Sequence, residues 1–152
     1  MITITRKLEF DAAHRVMNHE SKCANLHGHR YVVEVTATAH ELDPIGRVID
    51  FSVIKAKIGG WIDHHWDHNT LVNEDDEELL SALEAITQPK VPFEMPDNPT
   101  AELMAQYLLL EVCPFQLKDT GVKVIGIRIW ETPNCYADAT LDKLVLERGV
   151  PQ

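Results

Sequence analysis

His27-Gly28-His29, together with His14, is the set of residues whose type and spacing most directly imply chemistry. A His-x-His pair inside a β-strand turns both imidazoles to one face, because side chains alternate along a strand. His14 ends the preceding alternating segment, and a hairpin between the two segments brings it beside the pair. Three neutral ring nitrogens fill three positions of tetrahedral zinc and leave the fourth open, the arrangement of a catalytic rather than a structural site. Gly28 removes a side chain from between two of the ligands. The plain alternative is a surface turn with a hydrogen-bonded His14, and spacing alone does not choose between the two.

A competing cluster is Asp63-His64-His65-Trp66-Asp67-His68. His64 and His68 stand four apart and share a face if the segment is helical. The segment falls at the end of its predicted helix, however, and no Glu follows His64. His64 and His65 are therefore read as solvated residues favoured by the negative end of a helix dipole.

These residues must be positioned by the elements around them. Residues 2–15 alternate as a strand, with Ile2, Ile4, Leu8, Phe10, Ala12 and His14 on one parity. Residues 29–42 read as a second strand with Tyr31, Val33, Val35, Ala37 and Ala39 on one face. Asp50 caps a predicted helix over about 52–66, although Gly59-Gly60 weakens it. The acidic run from Glu74 to Glu78 leads into a short helix near 77–86. Pro89, Pro92, Pro96 and Pro99 mark a loop. Asn98 as N-cap and Pro99 as first residue open a helix that Pro114 ends. Strands near 122–131 and 135–147 complete the order β-β-α-(α)-α-β-β. The expectation is one domain over residues 1–152, of α+β class, with a four-stranded antiparallel sheet and helices on one face. Such a sheet has two unprotected edges, so an oligomer that pairs them is expected.

Composition fits an ordinary globular domain, 45% hydrophobic and 25% charged. A net charge of −10 argues against nucleic acid as a partner, since no basic excess neutralises phosphates. No run approaches a membrane span, and the alternating start lacks the apolar core of a signal peptide. Three cysteines, Cys23, Cys113 and Cys135, are a sparse, odd set that points to a reducing, cytoplasmic setting. Cys113 and Cys135 read as buried apolar fillers.

Phe10-Asp11-Ala12-Ala13-His14, followed by Cys23-Ala24-Asn25-Leu26-His27-Gly28-His29, resembles the 6-pyruvoyltetrahydropterin and 6-carboxytetrahydropterin synthase superfamily. Val48-Ile49-Asp50-Phe51, Asp67-His68, Pro99-Thr100-Ala101-Glu102 and Trp130-Glu131-Thr132 resemble further family segments in the same order. Three residues separate Cys23 from His27, a gap similar to that of the carboxytetrahydropterin synthases of bacterial queuosine biosynthesis. Two departures stand out: Leu71-Val72 where the family has Leu-Asn, and a long acidic stretch over 73–98.

The resemblance implies the tunnelling fold, in which trimers close their sheets into a barrel and two barrels stack as a homohexamer. It implies conversion of 7,8-dihydroneopterin triphosphate to 6-carboxy-5,6,7,8-tetrahydropterin with release of acetaldehyde and triphosphate. In that scheme His14, His27 and His29 hold Zn2+, Cys23 is the base, and Asp67 with His68 forms a second proton-handling unit. A metal or a protonated imidazole lowers the pKa of a neighbouring thiol, which is what Cys23 needs. Glu131 accepts the paired pterin donors, the 2-amino group and N3–H. Thr100 and Glu102 join the substrate pocket, although an ordinary helix N-terminus explains both equally well. Arg15, Lys22 and Arg30 are candidates for the triphosphate. A pyruvoyl-type activity, a non-catalytic pterin- or metal-binding module and a generic zinc hydrolase are the alternatives.

Overall fold

In the computed structural model, which describes residues 1–141, strand β1 (Ile4–His14) and strand β2 (His27–Ala39) form an antiparallel pair with His14 directly opposite His27 and Ala12 opposite His29. Strand β2 therefore begins two residues earlier than its alternation alone indicates, and both histidines of the His-Gly-His unit lie within it. Strand β5 (Val122–Thr132) pairs antiparallel with β2, and β6 (Cys135–Thr140) with β5. The predicted continuation of β6 to residue 147 lies outside the described residues.

The sheet has six strands, not four, in the order β4-β3-β1-β2-β5-β6. Strand β3 (Asn69–Asn73) lies parallel to β1, and β4 (Phe93–Met95) parallel to β3, so the sheet is mixed rather than antiparallel. Both added strands are short, and neither carries a readable alternation. Strand β3 pairs with the edge of β1 and β4 with β3, tertiary partners that local periodicity does not reveal.

Two of the three helices among the described residues cover the face that carries Phe10 and Tyr31. The third, Glu77–Glu84, packs through Leu79 and Leu83 on Val72, which alternates with Leu71 and so points to the other face; the expectation of helices on one face is corrected accordingly. Helix α1 runs through Phe51–Ile54, Lys55–Gly59 and Gly60–His65, with a widened turn in the middle where Gly60 N–H also reaches the Lys55 carbonyl. Asp50 caps it, accepting from Ser52 N–H at 2.8 Å. Gly59 has its reason in packing: a Cβ there would lie 3.2 Å from Leu8 Cδ2 on β1. Helix α2 is Glu77–Glu84, capped by Asp76. Helix α3 runs through Ala101–Tyr107, Leu108–Val112 and Cys113–Gln116.

Two expectations about α3 are corrected. Its N-cap is Thr100, whose hydroxyl accepts from Leu103 N–H at 3.2 Å, rather than Asn98. Asn98 instead holds the Met17 backbone at both its N–H and its carbonyl. Pro114 does not end the helix. The preceding turn is widened, with Cys113 N–H reaching the Leu108 carbonyl, and so accommodates a residue that has no N–H to donate.

Leu8, Phe10, Tyr31, Val33, Val35, Ile127 and Ile129 on the sheet pack against Ile54, Ile58, Ile62, Met104 and Leu108 on the helices. Truncating a fully buried residue such as Ile58 to Ala costs about 3 kcal/mol. Over β1, β2, β5 and β6 the opposite face of the sheet is polar, with Arg30 bridging Glu9 and Asp11, and Arg128 bridging Asp138. Cys113 is buried as expected, and burial pushes its thiol up to about 12. Cys135 is exposed on the edge strand, contrary to expectation, because β6 has no neighbour on its far side among the described residues.

Candidate active site

The antiparallel register places His14, His27 and His29 on the face of the sheet that carries Phe10 and Tyr31, where their ligand atoms lie within 4.8 Å of one another. His14 is 1% exposed. Its Nδ1 donates to the Pro99 carbonyl at 2.6 Å, and His27 Nδ1 donates to the Asn25 carbonyl at 2.6 Å. A carbonyl only accepts, so each neutral ring carries its proton on Nδ1 and presents a lone pair at Nε2. Those two Nε2 atoms face each other at 3.2 Å. Two lone pairs at that distance repel unless a cation or a proton lies between them.

His29 Nε2 is buried without a hydrogen-bond partner. Burial holds His14 below its ordinary pKa, as does the charge of its two histidine neighbours, against the Pro99 carbonyl and Glu131. Burial likewise depresses His29. Burial that resists protonation of His14 and His29, and outer hydrogen bonds that turn Nε2 of His14 and His27 inward, suit a metal ligand set. The residues present fit a divalent ion of the zinc type.

Glu131, at the end of β5, reaches the same place. Its Oε1 lies 3.6 Å from His14 Nε2 and 3.7 Å from His29 Nε2, too far for a hydrogen bond. It shares the inward parity of Ile127 and Ile129. Ile125 does not, because an irregularity in the β2–β5 pairing falls beside it.

Asp67 and His68 form a second cluster with Asp11. Asp67 Oδ1 accepts from Asp11 N–H at 3.0 Å, and Oδ2 from His68 Nδ1 at 2.8 Å. Burial raises the Asp67 pKa, but the Asp11 amide, the His68 hydrogen bond and charge, and Lys90 together bring it below the ordinary carboxylate value. His68 has φ 56°, a left-handed backbone that costs a non-glycine residue roughly 1–2 kcal/mol. Its N–H donates to the Asp11 carbonyl at 2.7 Å, which holds the turn against β1. Asp11 alternates with Ala12 and His14, so this cluster borders the polar face, opposite the three histidines.

Cys23 sits half-buried in the turn Lys22–Ala24, and its Sγ joins neither cluster. Thr100 serves as the α3 cap, and Glu102 lies exposed in the first turn. His64 and His65 join no ligand group among the described residues; the His65 ring packs on Trp61 at 4.6 Å. Arg15 is held by Asp76 and Glu78, and Arg30 by Asp11 and Glu9, so neither guanidinium is free of acidic partners. Lys22 has no acidic partner among the described residues.

The contacts made by the Pro99 and Asn25 carbonyls and by the Asp11 N–H and carbonyl are not legible in sequence, because backbone groups are common to every residue type. Tyr31 is different: it shares the His27 and His29 parity, and its hydroxyl lies 3.3 Å from His14 Nδ1.

Residues 3–142 match the family model described as 6-pyruvoyl tetrahydropterin synthase. The 6-carboxy-5,6,7,8-tetrahydropterin synthase of Rickettsia bellii is 41% identical, over 91% of this chain and 99% of its own. The enzyme of the same name from Haemophilus influenzae is 30% identical, over 91% of this chain and 98% of its own. An uncharacterised protein from Wolinella succinogenes shares the fold, with a TM-score of 0.78 at 23% identity, over 93% of this chain and 98% of that one. The named relatives make this an enzyme of α+β fold, and its three clustered histidines are a candidate metal centre. The chain belongs to the 6-pyruvoyl tetrahydropterin synthase family. No helix among the described residues is long and apolar enough to cross a membrane.

Proposed function

We propose that this chain converts 7,8-dihydroneopterin triphosphate and one water into 6-carboxy-5,6,7,8-tetrahydropterin, releasing acetaldehyde and triphosphate, in the cytoplasm as a step of queuosine biosynthesis. The observation that carries the reading is the pair of Nε2 lone pairs of His14 and His27, 3.2 Å apart beside the unpartnered Nε2 of His29. The names borne by the Rickettsia bellii and Haemophilus influenzae relatives supply the product class, a tetrahydropterin, and favour the carboxy over the pyruvoyl product.

His14, His27 and His29 would hold Zn2+, which when bound supplies a Lewis acid for the side-chain oxygens of the substrate. Glu131 accepts the 2-amino and N3–H donors of the pterin ring, which fixes the ring and aims its side chain at the histidines. Cys23, as thiolate, removes a proton from that side chain. His68 handles the second proton at Nε2, since Nδ1 is committed to Asp67. Thr100 and Glu102 border the pocket at the start of α3. Lys22 is the remaining candidate for a triphosphate contact.

The subunit does not act alone in this reading. Asp67 and His68 border the face opposite the histidines, and β6 leaves a sheet edge unpaired among the described residues. Pairing such edges between copies closes a barrel, stacked as a homohexamer, and brings the proton-handling pair of one copy to the histidines of another.

The direct test is to incubate zinc-loaded protein with 7,8-dihydroneopterin triphosphate and identify the products by mass. Carboxytetrahydropterin with equimolar acetaldehyde supports the proposal. A pyruvoyl product without acetaldehyde replaces it with the pyruvoyl activity, and unchanged substrate points to a binding module.

A further inference from the structure

The C-terminal end of α1 is closed by a residue far along the chain. Lys90, half-buried in the connection between α2 and β4, donates from Nζ to the Asp63 carbonyl at 2.6 Å and also to the Asp67 carbonyl. The Asp63 carbonyl belongs to the unpaired, partly negative last turn of the helix, where an ammonium is favoured, and the Asp67 carbonyl lies just beyond the C-cap Trp66. Asn69 fastens the same connection a second time: its Nδ2 donates to the His65 and Val91 carbonyls, each at 2.9 Å. The turn that carries Asp67 and His68 is thus held between two points of attachment.

The Asp67 carbonyl is part of the peptide plane that leads into His68. Fixing that oxygen fixes the direction of the His68 N–H, which reaches the Asp11 carbonyl at 2.7 Å. It also sustains the left-handed φ of 56° that folds the His68 ring back onto Asp67. A left-handed non-glycine residue persists only when its surroundings over-determine it, and Lys90 is one of those restraints.

We propose that Lys90 is a positioning residue for the Asp67–His68 pair, acting through the Asp67 carbonyl rather than by touching substrate. The proposal rests on the reading above that the pair is catalytic. It also assigns a task to the long stretch over 73–98: its Lys90-Val91 corner braces the turn that carries the pair.

The test compares K90M, K90R, K90Q and H68Q in the zinc-loaded full-length protein with 7,8-dihydroneopterin triphosphate. K90M should lose about tenfold or more in kcat with little change in KM, since a misplaced proton-handling group slows chemistry rather than binding. K90R, which can still donate to two carbonyls, should recover most of the loss. The NMR signals of the His68 ring should move in K90M and return towards wild type in K90R. A helix cap with no positioning role would lower Tm but leave kcat and the His68 signals at wild-type values, and that result overturns the proposal. Should K90M fail to fold, the expected kcat order Lys, Arg, Gln at similar KM carries the test, and equal kcat across the three overturns it. H68Q separates the two ways of failing. If H68Q is inactive while K90M matches wild type, the role of Lys90 falls alone. If H68Q turns over at the wild-type rate, the catalytic reading of the pair falls and takes this proposal with it.

Discussion

Asp67 Oδ2 accepts from His68 Nδ1 at 2.8 Å, a contact between sequence neighbours that accompanies the left-handed backbone of His68. The hydrogen bond fixes the ring tautomer and leaves Nε2 as the exposed acceptor, 75% of the His68 side chain being open to solvent. Strain in the backbone and exposure of the ring coincide at a residue with no role in the core.

That coincidence predicts a trade between stability and turnover. H68G removes the ring and also the left-handed penalty, so it should abolish turnover while raising stability by about 0.5–1 kcal/mol. H68Q should abolish turnover without that gain. Thermal melts and steady-state assays on the two variants check this, and a lower Tm for H68G than for H68Q would contradict the strain.

Glu131 approaches the histidine nitrogens without bonding to them. If it anchors the pterin, E131A should retain one zinc per chain and bind substrate at least a hundredfold more weakly, the loss of a paired, charge-assisted contact. Metal analysis together with equilibrium binding of the pterin distinguishes this from a metal-ligand role, in which E131A would lose zinc first.

Arg15 and Asp76 form a two-point ion pair in which Asp76 is 2% exposed, and Asp76 also caps α2 through Leu79 N–H. The Arg15 hydrogen bond is the main reason the Asp76 carboxyl is held below its ordinary pKa of 3.8. A depressed carboxylate contributes stability that is complete above the unfolded value and is lost as pH falls through the folded one. D76A should therefore cost about 2–3 kcal/mol at pH 7, and the gap to wild type should close below about pH 4. A denaturant titration across pH measures this directly; an undiminished gap at pH 3 would contradict it.

His14 and His29 are both depressed from 6.5, chiefly by burial. As pH falls below 6.5, the unfolded chain takes up protons at these positions that the folded chain refuses. Stability of the metal-free protein should therefore decline as pH drops from that value, and substituting Asn at His14 should flatten the decline. Chemical denaturation of metal-free wild type and H14N between pH 7 and 5 tests the sign.

The central part of the fold was open to reading because its periodicity is local. Strands β1 and β2 alternate cleanly, and that alternation is what brings His14, His27 and His29 to one face. Strands β3 and β4 escaped because Asn69–Asn73 and Phe93–Met95 are short and owe their conformation to pairing that starts at the β1 edge. The N-cap of α3 was displaced from Asn98 to Thr100 because Asn98 has a stronger tertiary task, holding Met17. The histidine outer contacts were hidden for another reason: the Pro99 and Asn25 carbonyls belong to every residue type alike. Arg15 and Arg30 looked available for phosphate only because sequence does not show Asp76, Glu78, Glu9 and Asp11 closing around them.

The most direct measurement is a zinc titration of metal-free protein, followed by metal content and by the histidine ring NMR signals. The account predicts one tightly held zinc per chain, coordinated through the Nε2 atoms of His14, His27 and His29, with binding lost in H27A and in H29A. Zinc uptake that is substoichiometric, or that persists unchanged in those two variants, would contradict it.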